Sequence, residues 1–535
     1  MCGIVVYVPN PGSKPPPDIE KEVRLRLERI AHRGPDFQNV HVAPYGAVLG
    51  HARLAIVDPS SGAQPIVGAA GDAVAVNAEI YNHVLLRKLL VDDFEFTSRC
   101  DCEVLLPACR EWGCEVGSAL DGQFAFVWVG GVQEGDFVAC RDPIGINPLY
   151  WARVEGGTWF ASEVKAIHDI SGAKAFPPGH VMGPKDPAPR RYFEPDWMKN
   201  NVVGTVPHYP DRFREIFDAA VKKRLMADVE FGVLLSGGLD SSLVAALAQR
   251  ESKTHLKSFS IGLEGSPDLV AAKRVAAHIG TEHHEVHFTV EQGLDALERV
   301  VRHIETVDTT TIRASTPMLL LAEYIRDHTN VKMVLSGEGA DEIFCGYLYF
   351  HNAPTPEAAA QESARKVLSL HMFDCQRANH SMMSAGIECR VPFLDAEVVK
   401  YGMNLRPEDK IPKKIEKYLI RQAYAGSGLL PEDIMWRQKE QFSDGVGYSW
   451  VDGLKAFTAA EAKRHDDDAI LTAAFGRAPT CPEQSHHMRL FARLYPGQAA
   501  RAGADMDTWC PEWNSSPDPS GRAIHNIHVD AYQHK

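Results

Sequence analysis

Cys2 directly follows the initiator methionine in Met1-Cys2-Gly3-Ile4. A small second residue favours removal of the methionine, which makes Cys2 the mature N-terminus and puts a thiol and an α-amine on one residue. Such an amine titrates near about pH 7.7–8.0, close enough to neutrality to serve as a general base. An N-terminal amine that activates its own side chain is one route to a nucleophile. The chemistry expected of Cys2 is therefore covalent catalysis.

A second group of residues is suited to phosphate. Val233-Leu234-Leu235-Ser236-Gly237-Gly238-Leu239-Asp240-Ser241-Ser242 reads as an apolar strand, a small-residue turn and the start of a helix. Gly237 and Gly238 allow the backbone to curl so that several N–H groups face one concavity. The helix that follows adds its N-terminal dipole, and Ser236, Ser241 and Ser242 add hydroxyl donors. The Lys-Ser/Thr ending of a Walker A loop is missing. Asp240 would repel phosphate unless a divalent cation lay between them, and Mg²⁺ is the usual bridge. A second apolar strand, Val331–Leu335, ends in Ser336-Gly337-Glu338-Gly339-Ala340-Asp341-Glu342. Two parallel strands ending in such loops place both at the carboxyl edge of one sheet, where open α/β folds bind ligands. Asp240 and Asp341 then share one metal.

Two other clusters point away from metal. Cys100, Cys102, Cys109 and Cys114 lack paired CxxC spacing, and Asp101–Cys109 reads as an apolar helical segment in which cysteines are small hydrophobes. His283, His284 and His287 alternate along a strand pattern, so they do not form an HExxH site.

These residues need a scaffold of some size. With 535 residues, two domains are expected. Hydrophobic residues at 45% and charged ones at 24% describe an ordinary globular chain. A net charge of -14 argues against nucleic acid as partner. No apolar run reaches the roughly 20 residues of a membrane helix, and no secretory signal is visible. Eleven cysteines, an odd number, fit a reducing compartment, so we expect a cytosolic protein.

Up to about Ala175, short β-rich runs such as Gly46–Gly50 and Asp136–Cys140 alternate with turns, interrupted by helical patterns at Ile19–Ala31 and Asn82–Leu90. This predicts layered α/β packing with antiparallel sheets. The proline-rich stretch from Phe176 to Pro210 reads as a linker or an ordered crossover. Beyond it, Phe231–Leu235, the helix after Ser241, Leu256–Leu263, a helix from Asp268 and Val331–Leu335 alternate as in a parallel sheet with helices on both faces. We expect domains at 1–205 and 206–503, and an extended or partly disordered tail at 504–535. There are no internal repeats.

At this level of detail the chain resembles the glutamine-dependent asparagine synthetases. Ser236–Ser242 is similar to that family's pyrophosphatase loop. Arg313–Met318, Arg390–Asp395, Trp436–Gly445 and the tail stretch Asp518–Ala523 also match. In the first half, Arg33–Asp36, Arg53–Asp58 and Asn77–Asn82 resemble the class II amidotransferase pattern. The resemblance implies an Ntn-hydrolase-like sandwich joined to a doubly wound ATP-pyrophosphatase domain. It also implies a homodimer that uses L-glutamine, L-aspartate and ATP with Mg²⁺, and that passes ammonia through an internal tunnel.

It assigns the nucleophile to Cys2 and the oxyanion donors to the Asn77 side chain and the N–H of Ala78. Glutamine is bound by Arg53, Leu54, Ala55, Ile56, Val57, Asn77, Ala78, Glu79 and Asp101. The charges suit the task, a guanidinium for the carboxylate and carboxylates for the ammonium. ATP is assigned to Leu234, Ser236, Gly237, Gly238, Asp240, Ser241, Ile261, Ser336 and Gly337, with Asp240 and Asp341 on the metal. Glu338 serves the aspartyl intermediate, and Lys439 neutralises negative charge.

One position departs from the pattern. The family has glycine where this chain has Ala78. Were that position at positive φ, alanine would cost about 1–2 kcal/mol, and a displaced oxyanion donor costs roughly 10²–10³ in rate. At negative φ the N–H stays in place. Cys345 and Cys389 are further substitutions beside matched stretches. Three other readings use the same residues: a β-lactam-forming or other acceptor specificity, an ammonia-dependent synthetase with an impaired glutaminase, and a catalytically silent scaffold.

Overall fold

The computed structural model describes residues 2–90, 94–199, 202–412 and 415–514. Its first part is built on two six-stranded antiparallel sheets. Strand Gly3–Pro9 has β-branched or aromatic residues on both faces, the mark of a strand covered on both sides. Ile4, Val6 and Val8 point between the sheets, where they meet Ala73, Ala75, Val127 and Phe160. Val5 and Tyr7 point outward, under the helix Ile19–Glu28 and its Val23 and Leu27. The second sheet turns Val74, Val76 and Ala78 outward, under the helices His83–Leu90 and Leu105–Trp112. The order helix, sheet, sheet, helix is the layered sandwich expected.

The proline-rich stretch is ordered for much of its length. His180–Met182 pairs with Phe137–Arg141, and Arg190–Arg191 pairs with it in turn, so both extend the second sheet. Its prolines fall outside these short strands, where no ladder donor is needed.

The second part carries a five-stranded sheet, parallel throughout, in the order Glu282–His287, Lys257–Gly262, Phe231–Leu234, Met333–Leu335, Glu388–Arg390. Counted along the chain this is third, second, first, fourth, fifth, the doubly wound arrangement. The direction of winding reverses between Phe231–Leu234 and Met333–Leu335, and a crevice opens at the carboxyl ends of such a pair. The helix Leu239–Glu251, which follows the first strand, is apolar on nearly every side and lies in the core.

After the last helix, Ala499–Ala504, the chain is irregular from 505 to 514 but is not loose: Trp509 and Cys510 are buried. The remainder of the expected tail, with Asp518–Ala523, lies outside the described residues. Among the described residues no helix is long and apolar enough to cross a membrane.

Candidate active sites

The first site lies at the end of the two sandwich sheets. Strand alternation carries the row Ala73, Ala75 on to Asn77 and Glu79, and the row Val74, Val76 on to Ala78. Asn77 therefore faces Cys2, and its Oδ1 accepts from the Cys2 backbone nitrogen at 2.8 Å. The Asn77 side chain is fully buried, and its Nδ2 has no hydrogen-bond partner. A buried amide donor left without an acceptor is costly unless a ligand completes it. Burial pushes the Cys2 thiol pKa up, and the Glu388 carboxylate adds to this. The thiol lies 3.8 Å from the Leu54 carbonyl.

Ala78 is not among the residues at positive φ, and its methyl packs into the core under the helices, on the face away from Asn77. Alanine is thus accommodated without backbone strain at this position.

The other glutamine-side residues are not all alike. Arg53 is stapled to a turn, donating to the carbonyls of Asp58 at 2.7 Å and Pro59 at 3.2 Å. Leu54 and Ile56 pack into the core of the second part, and the Ile56 carbonyl accepts from Asp228 N. Ala55 is buried and Val57 half-buried. The Asp101 carboxylate accepts from Ile80 N at 2.7 Å, while Cys100 and Cys102 approach its two oxygens at 3.8 and 3.6 Å. These three side chains converge closely enough to hold a metal. However, its hydrogen bond with Cys100, together with burial, pushes the Cys102 thiol pKa up and holds it protonated. Glu79 lies 2.7 Å from Arg390 of the second part, an ion pair without hydrogen-bond alignment. Burial nonetheless holds the Glu79 pKa well above the ordinary carboxylate range.

The second site is the crevice of the parallel sheet, an open cavity of about 940 Å³ including solvent at its mouth. Leu234, Ser236, Asp240, Ser241, Ile261, Ser336, Gly337, Glu338, Asp341 and Lys439 all line it. Gly237 does not. It takes φ +72°, and a Cβ there would meet Ala271 and the Ala272 backbone within 2.6 Å, so it lets the loop lie against the helix Pro267–Ile279. Gly238 lines a smaller adjoining cavity with Asp240, Lys417, Arg421 and Arg437. The two loops abut: a Cβ on Gly337 would lie 2.8 Å from Ser241 N.

The charges in this crevice are organised by residues that no motif had marked. Lys417 is fully buried and pairs with both Asp240 and Asp341, the latter at 2.6 Å. It reaches them past Gly346, where any side chain would collide with its Cε, and its own backbone takes φ 54°. Lys439 pairs with the other Asp341 oxygen at 2.6 Å. Burial would lower the Lys439 pKa, but Asp341 and Asp240 outweigh it and keep the amine charged. Burial raises the Glu338 pKa, opposed by Arg377, with which Glu338 pairs. Asp240 Oδ1 remains without a hydrogen-bond partner. Two carboxylates already bridged by a cation, with an oxygen to spare, are a donor set that suits Mg²⁺.

A polar seam crosses from the first site into the second half of the molecule. Arg33 donates from Nε to the Cys2 carbonyl and from Nη2 to Asn379 Oδ1, both at 3.0 Å. Asn147 Nδ2 donates to the Asn77 carbonyl at 2.7 Å, and Gln123 Nε2 donates to the Cys389 carbonyl at 3.3 Å. Arg33 and Arg390 stand in stretches matched by resemblance. Lys417, Arg377 and Trp509, which also lines the crevice, had no signal of type or spacing.

Residues 1–177 match the glutamine amidotransferase domain model, and residues 212–362 and 352–489 match the asparagine synthase model. Glutamine-hydrolysing asparagine synthetase 3 of Arabidopsis thaliana is 45% identical over 569 residues, covering 99% of this chain and 96% of the relative. The enzyme of Asparagus officinalis is 45% identical over 567 residues, at 99% and 94% coverage. Among solved structures, glutamine PRPP amidotransferase from B. subtilis overlaps with a TM-score of 0.31 at 15% identity, covering 54% of this chain and 91% of that one, too loosely to argue from. Matched along its length at this identity, with both family models in the same order, the chain belongs to the glutamine-hydrolysing asparagine synthetase family.

Proposed function

We propose that this chain makes L-asparagine from L-aspartate, consuming ATP and taking its nitrogen from L-glutamine. Family membership carries the reaction. The observation that best supports it in the molecule is the buried, unpartnered Asn77 amide beside Cys2, in the same chain as a crevice where two phosphate-type loops meet.

In the first site, Cys2 Sγ attacks the glutamine amide carbon. Its α-amine, free once the methionine is removed, takes the thiol proton and passes it to the leaving nitrogen. The free Asn77 Nδ2 and the Ala78 N–H receive the oxyanion. Arg53 meets the substrate carboxylate, and Glu79 with Asp101 meets its ammonium. Ammonia leaves, and water later cleaves the thioester to glutamate.

In the second site, Leu234 and Ile261 hold the adenine, and Ser236, Gly238, Ser241, Ser336 and Gly337 hold the phosphates. The aspartate β-carboxylate attacks the α-phosphorus, pyrophosphate departs, and β-aspartyl-AMP remains. Ammonia moving along the polar seam attacks its acyl carbon, AMP leaves, and Glu338 takes the proton. Lys439 balances charge on the phosphates. Asp240 and Asp341 would hold Mg²⁺, which when bound would supply charge neutralisation for the polyphosphate. We extend the reading to a cytosolic homodimer. Eleven free cysteines support the reducing compartment.

The test is asparagine formation from aspartate, ATP and Mg²⁺ with amide-labelled glutamine or, in parallel, with ammonium. Label in asparagine is expected. Activity with ammonium alone removes the glutaminase half of the proposal, and no asparagine from either donor removes the whole.

A further inference from the structure

The segment that follows the helix Ala499–Ala504 reaches back into the fold. Trp509 lines the synthetase crevice, in the same wall as Tyr347, Asp374 and Arg377. Its indole stands edge-on to Tyr347 with ring centroids 5.0 Å apart, and Phe373, which precedes Asp374, lies 6.3 Å away.

The segment is fastened from the helix Pro356–Ser369. Arg365 donates to the Asp507 carboxylate at 2.8 Å, to the Thr508 carbonyl at 2.9 Å and to the Trp509 carbonyl at 3.1 Å. The same guanidinium is oriented by Glu362 at 2.8 Å. The next residue, Lys366, places its ammonium 3.4 Å from the centre of the indole and makes no hydrogen bond. This buried ammonium lies over two aromatic faces, the Trp509 indole at 3.4 Å and the Phe373 ring at 5.1 Å, and is attracted to both. Two consecutive residues of one helix thus hold the backbone and the ring of Trp509. A ring fixed on both sides is suited to shaping a substrate pocket, because its position costs little to maintain when a ligand arrives.

We propose that Trp509 is a positioning residue of the synthetase centre. Trp509, held by the strap 505–510, forms part of the wall against which the small dicarboxylic substrate is seated, and the indole fixes Tyr347 and, through Phe373, the start of the helix Asp374–Met383 that carries Arg377. This inference rests on the asparagine synthetase reading. It adds a specificity element supplied by the C-terminal segment, which neither phosphate loop provides.

The experiment uses the full chain with ammonium as nitrogen donor, so that the glutaminase is bypassed, and follows W509A, W509F and R365M. For W509A we expect KM for aspartate to rise roughly tenfold while KM for ATP stays within about twofold. W509F should return to within about threefold of the parent, because a second aromatic ring still packs on Tyr347. R365M, which frees the strap but keeps the indole, should fall between them. Glutamine hydrolysis, measured alone, should be unchanged in all three and reports that the variants are folded. An unchanged KM for aspartate in W509A overturns the proposal. So does an equal rise for aspartate and ATP, which would mark a general loosening. A parent protein that makes no asparagine from ammonium overturns the synthetase reading itself, an outcome distinct from the other two.

Discussion

Arg390 and Glu79 lie 2.7 Å apart across the boundary between the two halves of the molecule. Arg390 belongs to the edge strand of the parallel sheet, and its carbonyl accepts from Ser336 N at the head of the acidic loop, at 2.9 Å. Its guanidinium also meets Glu388 at 2.5 Å and the carbonyls of Arg224 and Met226. One residue therefore touches both active sites, by its backbone in one and its side chain in the other. Lysine in its place keeps the charge but has no planar fork to span four acceptors. For Arg390→Lys we expect KM for glutamine to rise about tenfold while synthesis from ammonium stays within about twofold. Steady-state kinetics with the two donors decides it, and equal effects on both would reduce Arg390 to a structural pin.

Ala78 gives a sharper expectation than its sequence context allowed. Its φ is ordinary and its methyl points away from Cys2, so restoring glycine relieves nothing. Ala78→Gly should leave kcat/KM for glutamine within about twofold and lower stability by about 0.5–1 kcal/mol, since glycine in a strand interior loses more backbone freedom on folding. A tenfold gain in glutamine hydrolysis would show that the methyl crowds the bound amide after all.

What the sequence made legible follows from how local each signal is. The strand-to-loop segments at Val233–Ser242 and Val331–Glu342 announce themselves because apolar run, small turn and acid sit within ten residues or so of chain, and both line the crevice. At Gly237 the missing side chain makes room for the helix Pro267–Ile279, which the sequence does not reveal, because a glycine does not show whether it clears a ligand or a neighbour. Lys417 was invisible: its partners Asp240 and Asp341 are distant in sequence, and only the fold brings them to one ammonium. Trp509 was read as part of a loose tail because its stretch has no period. Its burial comes instead from Lys366 and three aromatic neighbours far upstream.

Lys417 should be needed by the synthetase half alone. Replacing it with methionine leaves Asp240 and Asp341 facing each other with only Lys439 nearby. Breaking a buried ion pair from one side costs about 3–5 kcal/mol, and loss of a preorganised cation at the phosphates costs about 10²-fold in rate. Lys417→Met should therefore lower the thermal midpoint and slow pyrophosphate release while glutamine hydrolysis is retained. Adding Asp240→Asn removes the surplus charge, and the double variant should regain stability without regaining rate. Recovery of both would mean that Lys417 only balances charge.

Two buried histidines should cost stability as the pH falls below about 6.5, opposed by buried carboxylates such as Glu79 and Glu338, whose raised native pKa favours the fold in acid. His51 and His380 are buried, at 0% and 1% exposure, and burial lowers the pKa of each to about 3 from 6.5. Each is held by one hydrogen bond at a ring nitrogen, to the Val76 carbonyl and the His303 carbonyl. Between about pH 6.5 and 3 the unfolded chain binds a proton at these residues that the native state does not. The difference in bound protons is then positive, and stability rises with pH across this window. Each histidine contributes about 1–2 kcal/mol of lost stability between about pH 6.5 and 5. Carboxylates with raised native pKa act in the opposite sense over an overlapping range, so the histidine contribution is read as the difference between the parent and a histidine variant. Between about pH 6.5 and 5, the thermal midpoint of His51→Gln should be less sensitive to acid than that of the parent by one histidine's contribution. An unchanged pH dependence in His51→Gln would mean that His51 is reached by water and protonates in the native state.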